Sequence, residues 1–389
     1  MKVLIATGIF PPDIGGPATY SKMIAEELVK RGHEITVVTY SDEEFRVLNL
    51  ESSKIQNSKF KIRNVSRKLP KGIRHLAYLW EVLKNGFRAD IIYAQDAVSA
   101  GFPAACASLM LHKRFFLKVV GDHAWEQGVQ RFGISDLLDD FLGKNYGLRI
   151  WFLRAAEKFV AKRAVRVVVP SEYLQSVVRR WGVSDKKIIV IPNAVSSSHV
   201  VISKEEARAK LGLNGFILLS VGRLVPWKGF GMLIELMPRL REKIKDVTLV
   251  IIGSGPEENK LRVTSAELRV PVIFTGSVSK DVLAQYLAAA DIFCLNTGYE
   301  GFSHQLIEGM AAGIPVITTD AGGNKEIVSD GENALVARYN DKEDWEKQIL
   351  RLYEDTALGM RLGVPQQDIT KKYSVEYMVQ KIENLFLTT

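Results

Sequence analysis

Short apolar runs alternate with amphipathic helical stretches along almost the whole chain. The runs are continuous and bounded by Gly, Pro or Asp, which is typical of strands covered by helices on both faces. In the first half these predicted strands are Val3–Ala6, Glu34–Thr39, Ile91–Tyr93, Phe115–Val120, Arg166–Val169 and Ile188–Ile191. Alternating strands and helices build parallel sheets from right-handed βαβ units. The pattern therefore predicts an α/β fold with doubly wound parallel sheets.

A second series of about six strands fills the other half: Phe216–Val221, Thr248–Ile252, Val272–Phe274, Ile292–Leu295, Val316–Thr319 and Ala334–Val336. A chain of 389 residues is too long for one ordinary core, so we predict domains at 1–195 and 196–370. The break falls in the small, polar stretch Pro192–Ser198. The final helix, Val375–Leu387 within 371–389, is predicted to return to the first domain. Ligands bind at the carboxyl ends of strands in open parallel sheets. We therefore expect the substrate in a cleft between two facing domains.

An apolar content of 47% and a charged content of 25% are those of a soluble globular protein. Cys106 and Cys294 both lie in apolar runs, which predicts buried thiols and no disulfide or metal site. The longest uncharged segment, Ala97–Leu111, is too short to span a bilayer. The first residues do not read as a signal peptide. We therefore expect a cytoplasmic protein, and we expect Trp125 and Trp151 to be buried, with a membrane or acceptor surface as the alternative.

Positive charge is concentrated in the first half. Residues 1–200 hold 30 Lys and Arg against 19 Asp and Glu, a net of +11, and the rest hold 22 against 25, a net of −3. The segment 54–88 has ten basic residues and one acid, Glu81. Such a segment either binds an anionic partner or is simply a solvated face. We expect peripheral contact with an anionic membrane and no nucleic acid.

Two glutamates bracket the start of a predicted helix in the segment Glu300–Glu308. Glu300 follows the apolar run Ile292–Leu295, and Glu308 lies about two turns into the helix. Backbone N–H groups at the helix start lack internal partners and carry the positive end of the dipole. The arrangement suits a ligand with hydroxyl groups at both ends and phosphate between them, as in a nucleotide-sugar. The spacing alone also fits two ordinary surface glutamates.

Arg223 and Lys228 follow the strand Phe216–Val221, at the sheet edge where ligands bind. A guanidinium fork and a lysine point charge suit a diphosphate, and they can stabilise a leaving group without a metal. For these two residues alone, solvated loop cations are the alternative.

Glycine-rich turns follow several other predicted strands. Gly15 and Gly16 precede Pro17 at the start of the first helix, where backbone can approach a ligand. A flexible loop is the alternative for that pair. In the second half, similar turns lie at Gly253–Pro256, Phe274–Gly276 and Ala321–Asn324. The Gly-x-Gly-x-x-Gly fingerprint is missing, which disfavours a nicotinamide oxidoreductase.

In this order the motifs closely resemble those of retaining glycosyltransferase family 4, over nearly the whole chain. The matching segments are Gly15–Gly16, Ile191–Asn193, Gly222–Gly229, Gly253–Pro256, Phe274–Gly276, Glu300–Glu308 and Gly322–Val328. The resemblance implies the GT-B fold, in which two tandem Rossmann-like domains face an interdomain cleft. It also implies transfer of a sugar from a UDP- or GDP-type donor to an acceptor hydroxyl, on a glycan or a lipid-linked sugar. No metal or other cofactor is expected.

The resemblance also implies roles for particular residues. Glu308 would bind the ribose and Glu300 the donor sugar. Arg223 and Lys228 would hold the diphosphate, with Gly15 and Gly16 approaching from the other domain. The remaining predicted donor contacts are Phe302, Ser303, His304 and Leu306 near the sugar or phosphate, and the backbone near Phe274–Val278 at the base.

His123 matches a position near the donor sugar, and Asp122 and Glu126 beside it are candidates for acceptor contact. Taken alone, a histidine such as His123 is more often a structural loop residue. Two positions depart from the family pattern: Ser303-His304 replaces the usual Gly or Pro, and Asn324 replaces an aliphatic residue. Both departures put the identity of the donor sugar in doubt.

Other activities remain open from the sequence. A nucleotide-sugar epimerase of the same fold would share the donor pocket and need no acceptor. A non-catalytic nucleotide-sugar-binding protein would keep the binding residues without turnover. A glycogen-phosphorylase-like enzyme would need a lysine-bound pyridoxal cofactor.

Overall fold

The structure, a computed structural model, describes residues 1–13, 15–42, 59–195, 202–364 and 372–389. Residue contacts divide it into two units. The first comprises Met1–Phe132, Leu138–Asn193 and Val375–Thr389, and the second comprises Gly133–Leu137 and Ala194–Ser374. Three predictions involve residues outside the described ranges. They are the domain boundaries after residues 195 and 370, part of the break predicted at Pro192–Ser198, and the part of the basic segment that contains Lys54.

The first unit is built on a seven-stranded parallel sheet in the order β3-β2-β1-β4-β5-β6-β7. Its strands are β1 (Lys2–Ala6), β2 (Glu34–Tyr40), β3 (Phe60–Val65), β4 (Ile91–Ala94), β5 (Arg114–Lys118), β6 (Arg166–Val169) and β7 (Ile188–Val190). Its helices are α1 (Gly16–Lys30), α2 (Lys71–Gly86), α3 (Gly101–Leu111), α4 (His123–Phe132), α5 (Leu138–Gly143), α6 (Gly147–Arg163) and α7 (Glu172–Arg180). The inner strand β4 is buried along its whole length, as expected for a strand covered on both faces.

The second unit is built on a six-stranded parallel sheet in the order β10-β9-β8-β11-β12-β13. Its strands are β8 (Phe216–Val221), β9 (Val247–Ile252), β10 (Val272–Gly276), β11 (Ile292–Leu295), β12 (Val316–Thr318) and β13 (Leu335–Val336). Its helices are α8 (Lys204–Leu211), α9 (Phe230–Lys243), α10 (Glu258–Glu267), α11 (Lys280–Ala289), α12 (His304–Ala312), α13 (Lys342–Glu354) and α14 (Thr356–Leu362). Successive strand residues point to opposite faces, so β8 sends Leu218 into one apolar cluster and Leu219 into another.

The last helix, α15 (Val375–Thr388), belongs to the first unit. Its Phe386 ring lies 5.3 Å from the ring of Tyr93 and 4.9 Å from that of Phe116. Glu383 accepts hydrogen bonds from Arg31 at 2.8 Å and pairs with His33 at 2.7 Å. These contacts fasten the helix to the end of α1 and to strands β4 and β5.

The α/β fold with two parallel sheets is confirmed, but the first sheet has a strand that the sequence pattern did not predict. This strand, β3, lies at the sheet edge, where Lys61 and Arg63 are exposed, so it lacks a continuous apolar run. Cys294 is buried as expected, whereas Cys106 is only half-buried, and both thiols are free. Trp125 is buried, but the expectation for Trp151 was wrong because its side chain is exposed. No helix in the described ranges combines the length and apolar character needed to cross a bilayer.

Candidate active site

The turn after β8 holds one of the predicted cations in the interior of the second unit. A 3₁₀ turn, Pro226–Lys228, leads through Gly229 into α9. Gly229 has a φ of 53°, and a Cβ there would lie 2.3 Å from the side-chain nitrogen of Asn296. Asn296, just beyond β11, also donates a hydrogen bond to the Gly229 carbonyl at 2.9 Å. A glycine is therefore required here, and the turns after β8 and β11 are joined directly.

Lys228 and Glu300 form a buried ion pair between these two turns. The Lys228 ammonium donates a hydrogen bond to Oε1 of Glu300. Lys228 is 9% exposed and Glu300 is 7% exposed. Two charges withdrawn from water gain little net stability from pairing, because desolvation offsets most of their attraction. The pair is therefore poorly explained as a device for folding.

The backbone around Glu300 is fixed by hydrogen bonds to its neighbours in the sheet. Gly323 donates its N–H to the Glu300 carbonyl at 2.8 Å. The Thr297 hydroxyl donates to the Tyr299 carbonyl at 2.8 Å, and the Thr319 hydroxyl donates to the Thr297 carbonyl at 2.6 Å. The Glu300 loop is thus held between the ends of β11 and β12.

Helix α12 begins beside this loop. Ser303 is its N-cap: the buried hydroxyl accepts a hydrogen bond from the Leu306 N–H at 3.3 Å. The Phe302 ring packs edge-on against the rings of His304 and Tyr373, at 5.8 and 5.3 Å. The first N–H groups of α12 are thereby placed directly after Glu300.

Glu308 lies on α12 and is half-buried. Burial raises the pKa of its carboxyl group, and the positive charge of Lys280 opposes that shift. A carboxylate in such surroundings gains from a ligand that donates hydrogen bonds to it, as a pair of hydroxyl groups does.

Two further turns, after β9 and β10, lie at the same edge of the sheet. The Gly253 N–H donates to the Gly276 carbonyl at 2.9 Å, and the hydroxyls of Ser254 and Ser277 are 3.1 Å apart. A Cβ on Gly253 would lie 1.9 Å from the Gly222 carbonyl oxygen, so the backbones after β8 and β9 are in direct contact. The turn that carries Arg223, which is exposed, therefore adjoins the predicted base-binding residues at the end of β10.

The first unit has its own cavity of ≈ 270 Å³ at the carboxyl ends of β1, β4 and β5. Residues lining it include Gly8, Pro17, Asp96, His123 and Glu126. Burial lowers the pKa of His123; the charge of Asp96 acts against this shift and that of Arg131 adds to it. The imidazole is therefore held largely neutral at physiological pH.

Two family models match consecutive parts of the chain. The model described as "Glycosyltransferase Family 4" matches residues 14–199, and the model described as "Glycosyl transferases group 1" matches residues 203–365. The chain belongs to glycosyltransferase family 4. As a member of this family, the protein is an enzyme of the hexosyltransferase type.

Two relatives match the glycosyltransferase over nearly its full length. An uncharacterized glycosyltransferase of Methanocaldococcus jannaschii is 27% identical over 395 residues, which are 99% of this chain and 98% of the relative. The GDP-mannose-dependent alpha-(1-6)-phosphatidylinositol monomannoside mannosyltransferase of Mycolicibacterium smegmatis is 26% identical, with 93% and 92% covered. The structure of HepE from Anabaena in complex with UDP-glucose superposes with a TM-score of 0.79 at 21% identity, and both chains are covered completely. This likeness confirms the GT-B fold.

The second unit of the glycosyltransferase brings most of the predicted site residues to one sheet edge. Arg223, Lys228, Glu300 and the start of α12 lie on adjacent turns, and Phe274 and Val278 flank the end of β10. In the first unit, Gly16 begins α1. Apart from its chain neighbours and the backbone of its own helix, no atom of the described residues lies within 4 Å of the place that a Cβ would occupy. That open space leaves room for the close backbone approach expected there.

Asp122 requires a correction. Its side chain is fully buried, with one oxygen accepting from the Trp125 N–H at 2.8 Å and the other from the Trp181 indole at 3.2 Å. No acceptor can reach it in this conformation. We therefore reassign Asp122 from acceptor contact to support of α4, which begins at His123. Glu126, in contrast, lines the cavity.

The two departures from the family pattern have local structural reasons. Ser303 caps α12, as described above. Asn324 is buried and donates from its amide to the Thr318 hydroxyl at 3.3 Å and the Thr319 carbonyl at 3.1 Å. Both residues stabilise the turns that hold Glu300.

Sequence reasoning missed Glu157 and Asp96. Glu157, on α6, is buried and accepts hydrogen bonds from the His123 N–H at 2.6 Å and the Ala124 N–H at 3.3 Å. Its role depends on a contact across 34 residues and has no local signal. Asp96 could have been found, because it follows the apolar run of β4 at the carboxyl end of the sheet.

Proposed function

We propose that the enzyme transfers a hexose from a UDP- or GDP-type sugar to an acceptor hydroxyl, with retention of configuration at the anomeric carbon. The observation that carries the proposal is the buried pair of Lys228 and Glu300 at the ligand-binding edge of the second sheet. A diphosphate supplies the anion that Lys228 can exchange for Glu300. Glu300 is then available to sugar hydroxyls.

The rest of the edge fits the other parts of such a donor. Glu308 offers a half-buried carboxylate for the ribose hydroxyls, and the turns after β9 and β10 offer backbone to a base. HepE was solved with UDP-glucose, and the mycobacterial relative is named for GDP-mannose. These two relatives support a nucleoside diphosphate donor and leave both bases in the proposal.

The mechanism follows from where charge develops. As the anomeric carbon–oxygen bond breaks, negative charge grows on the leaving diphosphate and the sugar gains oxocarbenium character. Arg223, Lys228 and the N–H groups at the start of α12 stabilise that negative charge. The acceptor oxygen attacks the face that the diphosphate leaves, and its proton passes to the departing phosphate oxygen. The predicted contacts of Gly16 and His123 with the donor stay predictions.

For the acceptor we propose a sugar or hydroxyl carried on a membrane lipid, with a polysaccharide as the other candidate. The mycobacterial relative is named for phosphatidylinositol monomannoside, and a shorter match is named for lipopolysaccharide core biosynthesis. The basic first half of the chain favours an anionic acceptor and peripheral contact with the cytoplasmic membrane face.

A thermal-shift screen of UDP-, GDP- and ADP-sugars tests the donor class, because a ligand that binds only the folded state raises the melting temperature with its concentration. One donor should stabilise the wild type and fail to stabilise Glu308→Gln. NMR of the product made from that donor should show the donor's anomeric configuration. Inverted product would refute retention. If the enzyme isomerises the sugar-nucleotide without an acceptor, an epimerase is favoured instead. If it binds the sugar-nucleotide but does not turn it over, a non-catalytic sensor is favoured.

A further inference from the structure

Large apolar side chains are exposed on three helices of the first unit. On and just after α2 these are Ile73, Leu76, Trp80 and Phe87; on α3 they are Phe102, Leu109 and Met110; on α6 they are Leu148, Trp151, Phe152 and Phe159. Trp80 is 66% exposed, Trp151 59% and Phe152 63%. We call this set the apolar face. In the second unit, exposed residues of this kind are fewer and scattered over several elements.

The three helices are neighbours, so the apolar face is continuous. Helix α2 packs against α3, and α3 packs against α6. The Phe102 and Phe159 rings lie 5.7 Å apart, which joins the parts on α3 and α6. The Trp151 and Phe152 rings meet edge-on at 5.0 Å.

The spacing shows that the exposed residues form outward stripes, separate from the buried faces of the same helices. On α2, Ile73, Leu76, Trp80 and Phe87 recur at intervals of three, four and seven, while Tyr78 and Val82 are buried against the sheet. On α6, Leu148, Trp151, Phe152 and Phe159 recur at three, one and seven. Both spacings place their residues on one side of a helix.

Basic side chains are exposed on two of the helices that carry the apolar face. Lys84 and Arg88 are exposed at the end of α2, and Arg149, Lys158 and Lys162 are exposed on α6. Among the described side chains of α2, α3 and α6, the acids are the half-buried Glu81 and the buried Glu157. The exposed sides of α2 and α6 therefore combine apolar and positively charged side chains.

We propose that the apolar face docks on a lipid bilayer that contains anionic phospholipid. Aromatic side chains favour the membrane–water interface, and Lys and Arg favour anionic head groups. A protein partner is the weaker match, because protein interfaces are depleted of lysine. A second copy of the chain would bring two positive surfaces together. The proposal deepens the proposed function, on which it rests for a lipid-borne acceptor, but lipid binding can be measured without any sugar.

Flotation of the full chain with vesicles tests this assignment. We expect wild type to float with phosphatidylcholine vesicles that contain phosphatidylglycerol and to stay unbound with phosphatidylcholine alone. Trp80→Ser combined with Trp151→Ser should lower the bound fraction by about tenfold or more. Lys84→Glu combined with Lys158→Glu should do the same at low salt. The matched control, Val263→Ser combined with Met360→Ser, changes exposed apolar residues of the second unit and should float like wild type.

The four residues substituted on α2 and α6 are all exposed, so the circular dichroism and the melting temperature of these variants should stay at wild-type values. No flotation with anionic vesicles, or equal flotation of wild type and the tryptophan variant, would overturn the proposal. Sedimentation that shows a dimer lost in the tryptophan variant would assign the face to a second copy instead. Binding of a sugar-nucleotide in a lipid-free thermal shift reports on the donor site separately, so failure of the two proposals can be told apart.

Discussion

Lys228 donates a hydrogen bond to Glu300 from a turn 72 residues earlier in the chain, and both residues are buried. Lysine and glutamate are seldom this buried unless they are paired. The two residues come from the turns after β8 and β11, which lie side by side in the sheet. A diphosphate that enters this edge meets a cation already in place and already stripped of most of its water.

The Lys228–Glu300 pair should separate catalysis from stability. Lys228→Met leaves a buried carboxylate without its partner, so the free energy of unfolding should fall by about 2–4 kcal/mol. Turnover should fall by about 10²-fold or more, because a group that stabilises the leaving diphosphate is gone. Adding Glu300→Gln should restore much of the stability and none of the turnover, as urea unfolding and steady-state kinetics would show.

The control for the Lys228 and Glu300 variants is Lys245→Ala, since Lys245 is an exposed lysine just beyond α9. It should match wild type in both measurements. Wild-type turnover in Lys228→Met would remove the proposed role of this residue.

Glu308→Gln should weaken donor binding without harming the ligand-free fold. Burial raises the pKa of Glu308 above its ordinary 4.5, so the folded state holds a proton that the unfolded state has released. Wild type therefore loses stability as pH rises from 4.5 through the raised pKa, and the glutamine variant lacks this loss. In thermal unfolding from pH 4 to 8, the melting temperature of the variant should rise relative to that of wild type as the pH increases. Calorimetric titration with the donor should show weaker binding, and unchanged affinity would contradict the ribose assignment.

Glu157 should act as a positioning residue for His123. Its carboxyl group accepts from the first N–H groups of α4, and burial together with the charge of Asp122 raises its pKa well above the ordinary value. Glu157→Gln keeps an acceptor oxygen and should retain most activity. Glu157→Ala should lower the free energy of unfolding by about 1–3 kcal/mol, because buried N–H groups lose their partner. If kcat falls in Glu157→Ala but not in Glu157→Gln, and KM for the donor is unchanged in both, Glu157 positions His123 and does not bind the donor.

Lys118 gives the first unit a pH-dependent stability. Its side chain is fully buried on β5, and burial lowers its pKa to about 7. Between pH 7 and 10 the unfolded chain carries a proton here that the folded chain lacks, so stability attributable to this residue rises with pH. Relative to Lys118→Met, wild type should gain up to about 1.4 kcal/mol per pH unit over this range. Parallel stability curves of the two proteins from pH 7 to 10 would contradict the shifted lysine.

Most of the fold could be predicted because the inner strands of a parallel sheet must be apolar on both faces. The edge strand β3 escaped this rule, since Lys61 and Arg63 face solvent. The placement of Arg223, Lys228 and Glu300 at one edge of the second sheet could also be predicted, since each follows a strand. Their pairing could not be predicted, because nothing local in the sequence indicates that Lys228 and Glu300 form an ion pair or that both are buried.

The support of His123 was beyond prediction for the same reason. Asp122 resembles an exposed loop acid in sequence, but Trp125 and Trp181 enclose it in the fold. Trp151 resembles a core residue in an apolar helix and is exposed instead. In both cases burial is decided by neighbours that are distant in sequence.

A crystal of the enzyme soaked with the sugar-nucleotide selected by thermal shift tests the central claim most directly. We predict that the diphosphate lies within hydrogen-bonding distance of Lys228 Nζ and Arg223, that Glu308 accepts from the ribose hydroxyls, and that Glu300 has released Lys228 for the sugar. Electron density for the diphosphate away from the carboxyl ends of β8 and β11, with the Lys228–Glu300 pair intact, would contradict the account.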